Sequence, residues 1–176
     1  YRMAERRIVG EAGRGPGRGI VCFISNYSWL DGLSHPGMRE RYLEVFDRIW
    51  IDSLNGDKYR TGKTTPEGKP DPSIFSTERD PVGIQVGTAI ALLMRREVHT
   101  EPAEIYYRDL WGNDKLHKLA IETQAFQKDA LHCKREIIEA YSEGMQRIEP
   151  DSALGYPFRP LETNLSYLDW PNLPEI

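Results

Sequence analysis

The sequence predicts an α/β protein built on an open sheet. Two kinds of segment say so: apolar runs of strand length bounded by turn signals, as in Ile20–Ile24 and Arg48–Leu54, and stretches whose apolar residues recur every three or four positions, as in Met38–Phe46. A third observation is the polar and aromatic loop between the first run and the helix that follows it. An open α/β sheet places its ligand-handling residues in such a loop.

In chain order, 1–9 reads as the end of an amphipathic helix, with Met3 and Ile8 as apolar positions among arginines. Alternating glycines, Gly13, Gly15, Gly17 and Gly19, connect it to the strand at Ile20–Ile24. The next helix carries Met38, Tyr42, Leu43 and Phe46 at helical spacing, a face that can pack on a sheet. Arg48–Leu54 then alternates as a strand and ends at the Asn55-Gly56 turn signal. From Asp57 to Pro81 the chain is rich in Gly, Pro, Lys, Thr and Asp and reads as an excursion outside the core. Val82–Met94 returns as an apolar strand bent at its glycines, and Glu104–Leu110 reads as another. After Asn113-Asp114 a helical pattern runs from Leu116 to Ile148, as one helix or two. The tail, with Pro150, Pro157, Pro160, Pro171 and Pro174, reads as an irregular strap anchored by Tyr156, Phe158, Tyr167 and Trp170.

The length, 176 residues, suits about one domain with a real core. A hydrophobic content of 39% and a charged content of 28% describe a soluble globular chain. No apolar run approaches the roughly 20 residues of a membrane span. The formal charge of -4 carries no global basic signature, so a nucleic-acid surface has to be local. Cys22 and Cys133 fit a reducing compartment better than a disulfide scaffold, which points to the cytoplasm. The chain opens on Tyr1 without a signal peptide's apolar core, and so reads as a piece of a longer protein.

Two glycine-rich stretches imitate nucleotide sites. Gly13 to Gly19 precede a strand, whereas a phosphate loop follows a strand and opens a helix. Gly62-Lys63-Thr64 lacks the glycine five places before the Gly-Lys pair, because position 57 is Asp, and Pro66 and Pro70 break the segment that follows. His117, His132 and Cys133 have no zinc-ligand spacing, so no metal site is expected. No nucleophile elbow or Ser-His-Asp order is present. What remains is the loop with Asn26, Tyr27, Ser28, Trp29 and His35, which offers amide, hydroxyl and flat-ring surfaces in one short stretch. Stacking on and hydrogen-bonding to an unpaired nucleobase needs that set of groups. Lys58, Arg60 and Lys63 in the long excursion are candidates for DNA phosphates.

Four blocks in order, Gly19–Gly32, Gly37–Arg39, Phe46–Gly56 and Gly87–Leu93, resemble one family. It is the adenine-specific DNA methyltransferase region of large bacterial single-polypeptide restriction-modification enzymes, the type ISP and related type IIG proteins. The resemblance covers roughly 1–118. It implies a partial class I, Rossmann-like methyltransferase sheet in which the first strand here is similar to the family's fifth and the next two to its sixth and seventh. The domains it implies are 1–112 for the C-terminal part of the methyltransferase-like unit, 113–148 for a helical segment, and 149–176 for the start of a recognition or linker region.

The resemblance also implies that the loop from Asn26 to Gly37 helps hold a flipped adenine, with Asn26, Tyr27 and Trp29 bordering the pocket. His35 stands where the family usually has the phenylalanine that stacks on the base. The implied partners are duplex DNA and the rest of the methyltransferase domain, and the implied cofactor is S-adenosylmethionine, bound by the parent protein. The family's cofactor strand and its catalytic Asn-Pro-Pro-Tyr motif do not occur here, so no catalytic residue is assigned. By itself the chain is expected neither to bind the cofactor tightly nor to methylate. A sheet that starts at its fifth strand also exposes an apolar edge, which predicts self-association. The competing readings are a non-enzymatic α/β protein-interaction module and, behind it, a nucleotide-hydrolysing domain built on Gly62-Lys63-Thr64.

Overall fold

The computed structural model of the protein describes residues 2–9, 17–129, 142 and 144–161. In chain order its elements are α1 (Arg2–Val9), β1 (Gly19–Asn26), α2 (Pro36–Val45), β2 (Arg48–Asn55), β3 (Thr88–Arg95), β4 (Glu104–Asp109), α3 (Lys115–Asp129) and β5 (Gln146–Ile148). Short 3-10 turns cover Tyr27–Leu30 and Ser152–Leu154. The fold class is the one expected, an open mixed α/β sheet that suits a partial Rossmann-like unit.

The five strands lie in the order β1-β3-β2-β4-β5. β3 is antiparallel to both β1 and β2, β2 is parallel to β4, and β5 is antiparallel to β4. It follows that β1, β2 and β4 run the same way. Their carboxyl ends, Asn26, Asn55 and Asp109, open on one side of the molecule.

Strand register explains which side chains form the core. One row across the sheet reads Val21, Leu93, Ile49, Ile105 and Ile148, and the next reads Phe23, Ala91, Ile51 and Tyr107. These residues share a face because opposed residues in a sheet point the same way. That face packs on Tyr42, Leu43 and Phe46 from the α2 segment, Ile8 of α1, and Trp29, Leu30 and Phe158. Ala91 of β3 sits between Phe23 and Ile51 in its row, so small and large side chains alternate across the face.

The opposite face is divided. On β2 and β4, Trp50 stacks on Tyr106 with ring centroids 6.1 Å apart, and its Nε1 donates to Ser142 Oγ at 2.9 Å. Arg108 bridges Asp52 of β2 and Glu122 of α3, which ties that helix to the sheet. Toward β1 this cover gives out, and Ile20 and Ile24 are 66% and 47% exposed. Tyr27 N donates to Gly87 O at 3.0 Å. In an antiparallel ladder this fixes the parity, so the N–H and C=O groups of Ile20, Cys22, Ile24 and Asn26 face away from β3. β1 is an eight-residue edge strand with no charged side chain and no proline.

Some expected elements differ. Arg48–Asn55 does not alternate: every residue after Arg48 is buried, since both faces of β2 are covered. The strand expected from Val82 begins only at Thr88. Lys58 N donates to Gln85 O, so the chain before Gly87 follows the 57–87 excursion instead of β2. Leu116 of α3 is exposed, and Gln146–Ile148, expected at the end of a helix, is a strand whose Ile148 completes a core row. Cys22, expected inside an apolar strand, lies exposed on the open part of the sheet. Phe158 does anchor the tail, whereas Tyr167, Trp170, His132 and Cys133 lie outside the described residues. Among the described residues no helix is long and apolar enough to cross a membrane.

The turn from β3 to β4 is organised by Asp47, whose carboxylate is fully buried. It accepts from Arg96 N at 2.7 Å and from Thr100 N at 2.8 Å and Oγ1 at 3.1 Å. Burial, the strongest single influence, pushes its pKa up, but the Arg96 and Thr100 donors and the His99 ring outweigh it and hold it below the usual range. A lowered folded pKa contributes stability above the unfolded value of ~3.9, and that stability is lost as pH falls through the folded value. Asp47→Asn is therefore expected to lose about 2 kcal/mol in urea unfolding at neutral pH. The gap between the two proteins should narrow as the medium is acidified.

Candidate functional site

The carboxyl ends of parallel strands are where open α/β sheets handle ligands. Here two loops rise from that end, 27–35 after β1 and 56–87 after β2.

The first loop begins with Asn26, whose Oδ1 accepts from Ser28 N at 2.7 Å and opens the 3-10 turn. Within the turn, Trp29 is buried, its ring 5.9 Å from Phe23, 6.3 Å from Tyr42 and 6.0 Å from Phe158. Tyr27 is also buried, and its ring lies against Gly87 so closely that a Cβ there would stand 2.2 Å from it. The guanidinium groups of Arg60 and Arg159 sit 5.5 and 5.1 Å from its centroid. Burial, reinforced by Asp57, raises the Tyr27 hydroxyl's pKa. A tight turn follows, closed by His35 N donating to Gly32 O at 3.1 Å. Leu33 stands at its tip, 93% exposed. His35 is half-buried, with Nδ1 3.0 Å from Ser34 Oγ.

Arg39 of α2 holds this loop from beneath. Its buried guanidinium donates to Trp29 O at 2.8 Å, to Gly32 O at 2.9 Å, and twice to Gly155 O at 2.9 and 2.6 Å. Burial lowers its pKa from the ordinary arginine value. Phe158 N adds a bond to Leu30 O at 2.7 Å, so the tail is stitched to the same loop.

The second loop is organised by two buried carboxylates. Asp57 accepts from Tyr59 N at 2.6 Å, Arg60 N at 2.8 Å and Gly87 N at 2.8 Å. Burial pushes its pKa up most strongly, yet those three donors and the Tyr27 hydroxyl bring it below the usual carboxylate range. Asp71 accepts from Gly56 N at 2.8 Å and Gly112 N at 2.7 Å, and lies 2.6 Å from Lys115 Nζ. Lys115 also donates to Leu54 O at 2.6 Å and Pro72 O at 3.0 Å. Its pKa is lowered by burial, with Asp71 opposing that shift. Arg60 Nη2 donates to Asp31 Oδ2 at 2.8 Å and joins the two loops.

The sequence-predicted residues therefore separate. Asn26, Tyr27, Trp29 and His35 share one loop, but only Asn26 and His35 present surface, since Tyr27 and Trp29 face inward. Lys58 is exposed, Arg60 is engaged by Asp31, and Lys63 Nζ donates to Val82 O. Gly62-Lys63-Thr64 forms a turn with Lys63 in the left-handed region and leads to the Thr64–Pro70 bridge, not into a helix. Among the described residues no group of three or more His, Cys, Asp or Glu side chains is placed to hold a metal ion. Sequence reading passed over Arg39, Asp71 and Lys115, and it expected Asp57, with Asp31, Asp47 and Asp52, to be an exposed or capping carboxylate, whereas Asp57 is buried. Of these, Arg39 left a signal: with Tyr42, Leu43 and Phe46 it keeps the spacing of the buried helix face.

Neither a protein-family model nor a curated protein matches the chain. Solved structures do. The chain is similar to the ATP-dependent Type ISP restriction-modification enzyme LlaBIII bound to DNA, at 24% identity and a TM-score of 0.58, over 88% of this chain and 9% of that one. A DrdV–DNA complex aligns at 25% identity and a TM-score of 0.51, over 81% and 12%. A nuclease-deletion mutant of the Type ISP restriction-modification enzyme LlaGI in complex with a DNA substrate mimic aligns at 22% identity and a TM-score of 0.54, over 89% and 13%. The chain shares the fold of one segment of these proteins. It spans between 9% and 13% of their length.

The Lys115–Asp71 pair is the anchor of the second loop, and its removal has a defined cost. Lys115→Met strands a buried carboxylate and is expected to cost about 3–5 kcal/mol in urea unfolding. Adding Asp71→Asn to Lys115→Met should cost less than the two single changes summed, since both act on one interaction.

Proposed function

We propose that this chain supplies the target-base side of an S-adenosylmethionine-dependent DNA adenine-N6 methyltransferase in a restriction-modification system, and that alone it does not methylate. The observation that carries the reading is positional. A rigid loop bearing Asn26 and His35 stands at the carboxyl ends of parallel strands, on a fold shared with enzymes solved on DNA.

In this reading the His35 imidazole stacks on an extruded adenine. Asn26, whose Oδ1 is occupied by Ser28 N, has amide N–H groups to offer the base edge. Tyr27 and Trp29 act from below, as the packed floor that keeps the loop from yielding. Lys58 is the readiest phosphate contact, and Arg60 and Lys63 join it only by leaving Asp31 and Val82 O.

The described residues do not fit S-adenosylmethionine. Gly17 and Gly19 lead into a strand instead of a helix N-terminus, and the space above Gly87 is filled by Tyr27. The cofactor and the groups that activate the adenine nitrogen therefore belong, in this proposal, to the rest of a longer polypeptide.

Fluorescence anisotropy on a duplex with one mismatched adenine tests the reading, because a mismatch makes extrusion cheaper. The chain should bind with a strong salt dependence, and His35→Ala should weaken binding about fivefold or more. Calorimetry should show no tight S-adenosylmethionine binding. Failure to bind the duplex, or tight cofactor binding, refutes the proposal.

The open edge of β1 supports a second proposal, that the isolated chain self-associates there. The edge carries no charge to repel a second copy, and its outward backbone groups lack strand partners among the described residues. Sedimentation equilibrium should give a dimer that Ile24→Lys weakens. A monodisperse monomer at all concentrations rules it out.

A further inference from the structure

We infer that Leu33 and Tyr59 are the side chains with which this rim enters a base stack, Leu33 as an apolar wedge and Tyr59 as a stacking ring. The inference rests on the proposal above that the rim faces DNA, and it adds what holds the duplex open while a base is out.

Both side chains are held into solvent, Leu33 at 93% exposure and Tyr59 at 74%, and neither belongs to the hydrophobic core. A single exposed apolar residue is ordinary. What distinguishes these two is the stiffness of the backbone beneath them. Leu33 follows Gly32, whose N–H donates to Ser28 O at 2.8 Å and whose carbonyl accepts from Arg39. A side chain at position 32 would not fit this turn, since a Cβ on Gly32 would lie 2.4 Å from Ser28 O. Tyr59 N is bonded to the buried Asp57 carboxylate, and Thr61 Oγ1 donates to Asp57 O at 2.7 Å.

The two turns are also coupled. The Arg60–Asp31 pair ties the residue after Tyr59 to the loop that carries Leu33. Projecting groups fixed in place before contact lose little entropy on binding, which a wedge requires. Extruding a base leaves a gap in the stack, and proteins that open duplexes fill such gaps with apolar side chains. An aromatic ring with only two rotatable bonds suits the face of an unstacked neighbour. A protein surface would also accept Leu33 and Tyr59, but exposed Lys58 beside Tyr59, and Asp31 neutralised by Arg60, favour a phosphate-bearing partner.

The test uses the chain with a duplex carrying 2-aminopurine next to a single mismatched adenine. Binding should raise the 2-aminopurine fluorescence. Leu33→Ser should remove at least about half of that rise while leaving the salt dependence unchanged, and Tyr59→Ala should weaken binding about fivefold or more. Lys58→Ala should instead reduce the salt slope by about one. Circular-dichroism melts of both rim variants should match the parent, as both side chains are exposed. If the parent binds the duplex and both variants bind and brighten it equally, the inference is overturned while the DNA reading stands. If the parent does not bind the duplex, both fall together.

Discussion

The guanidinium of Arg39 is the interaction on which the candidate site depends. It is nearly inaccessible to water, and it answers three carbonyls that lie outside the α-helices and strands: those of Trp29, Gly32 and Gly155. Burying a charge costs free energy unless hydrogen bonds replace its hydration, and a planar fork of five donors can replace much of it at once. In return, one side chain on α2 fixes the loop after β1, the turn that carries Leu33 and the start of the tail. Phe158 then closes over Trp29, and the core gains a lid that the sheet alone does not provide.

The long excursion after β2 follows the same logic with the opposite charge. It contains no helix and only one isolated bridge, so its backbone groups need partners from elsewhere. Asp57 and Asp71 provide them: Asp57 accepts from Tyr59 N and Gly87 N at the two ends of the excursion, and Asp71 from Gly56 N at its start and Gly112 N beyond β4. Asp47 does so for the turn beyond β3. Buried carboxylates thus replace secondary structure at these positions. They also bring charge to the sheet's end without displaying it, because Lys115 and the backbone dipoles absorb it.

Local pattern was a good guide wherever burial is one-sided. α2 kept its expected place because it has one wet face and one dry face, which periodicity records; β1 was legible only as an apolar run, and its alternating exposure was not. It failed where tertiary contact decides. β2 is covered on both sides, so its alternation in sequence carries no contrast in exposure. β5 has three residues, too few for any period, and exists because Ile148 extends a core row begun by Val21. In the site, composition drew attention to the loop from Asn26 to His35, and the structure sets that loop at the carboxyl end of β1. Which of its rings face inward depends on Gly87 and Phe158, both remote in sequence. Arg39 was legible in principle, as a charge standing in the register of a buried helix face, although Met38 beside it fits the apolar pattern more easily.

The insertion of β3 between β1 and β2 governs the order in which the chain can be assembled. Parallel neighbours that never touch each other cannot pair when they emerge; each needs a strand that comes later in the sequence. Gly19 meets Arg95, and Arg48 meets Met94, so the central ladder forms only after the whole excursion has been looped out and its ends brought together. Loop closure over such a span is paid before any cross-strand contact rewards it, and folds dominated by non-local pairing fold slowly. The ladders that β1 and β2 make with β3 therefore both wait for the same later strand. Thr88–Arg95 is the keystone, and the acids that draw the excursion shut decide how long that wait lasts.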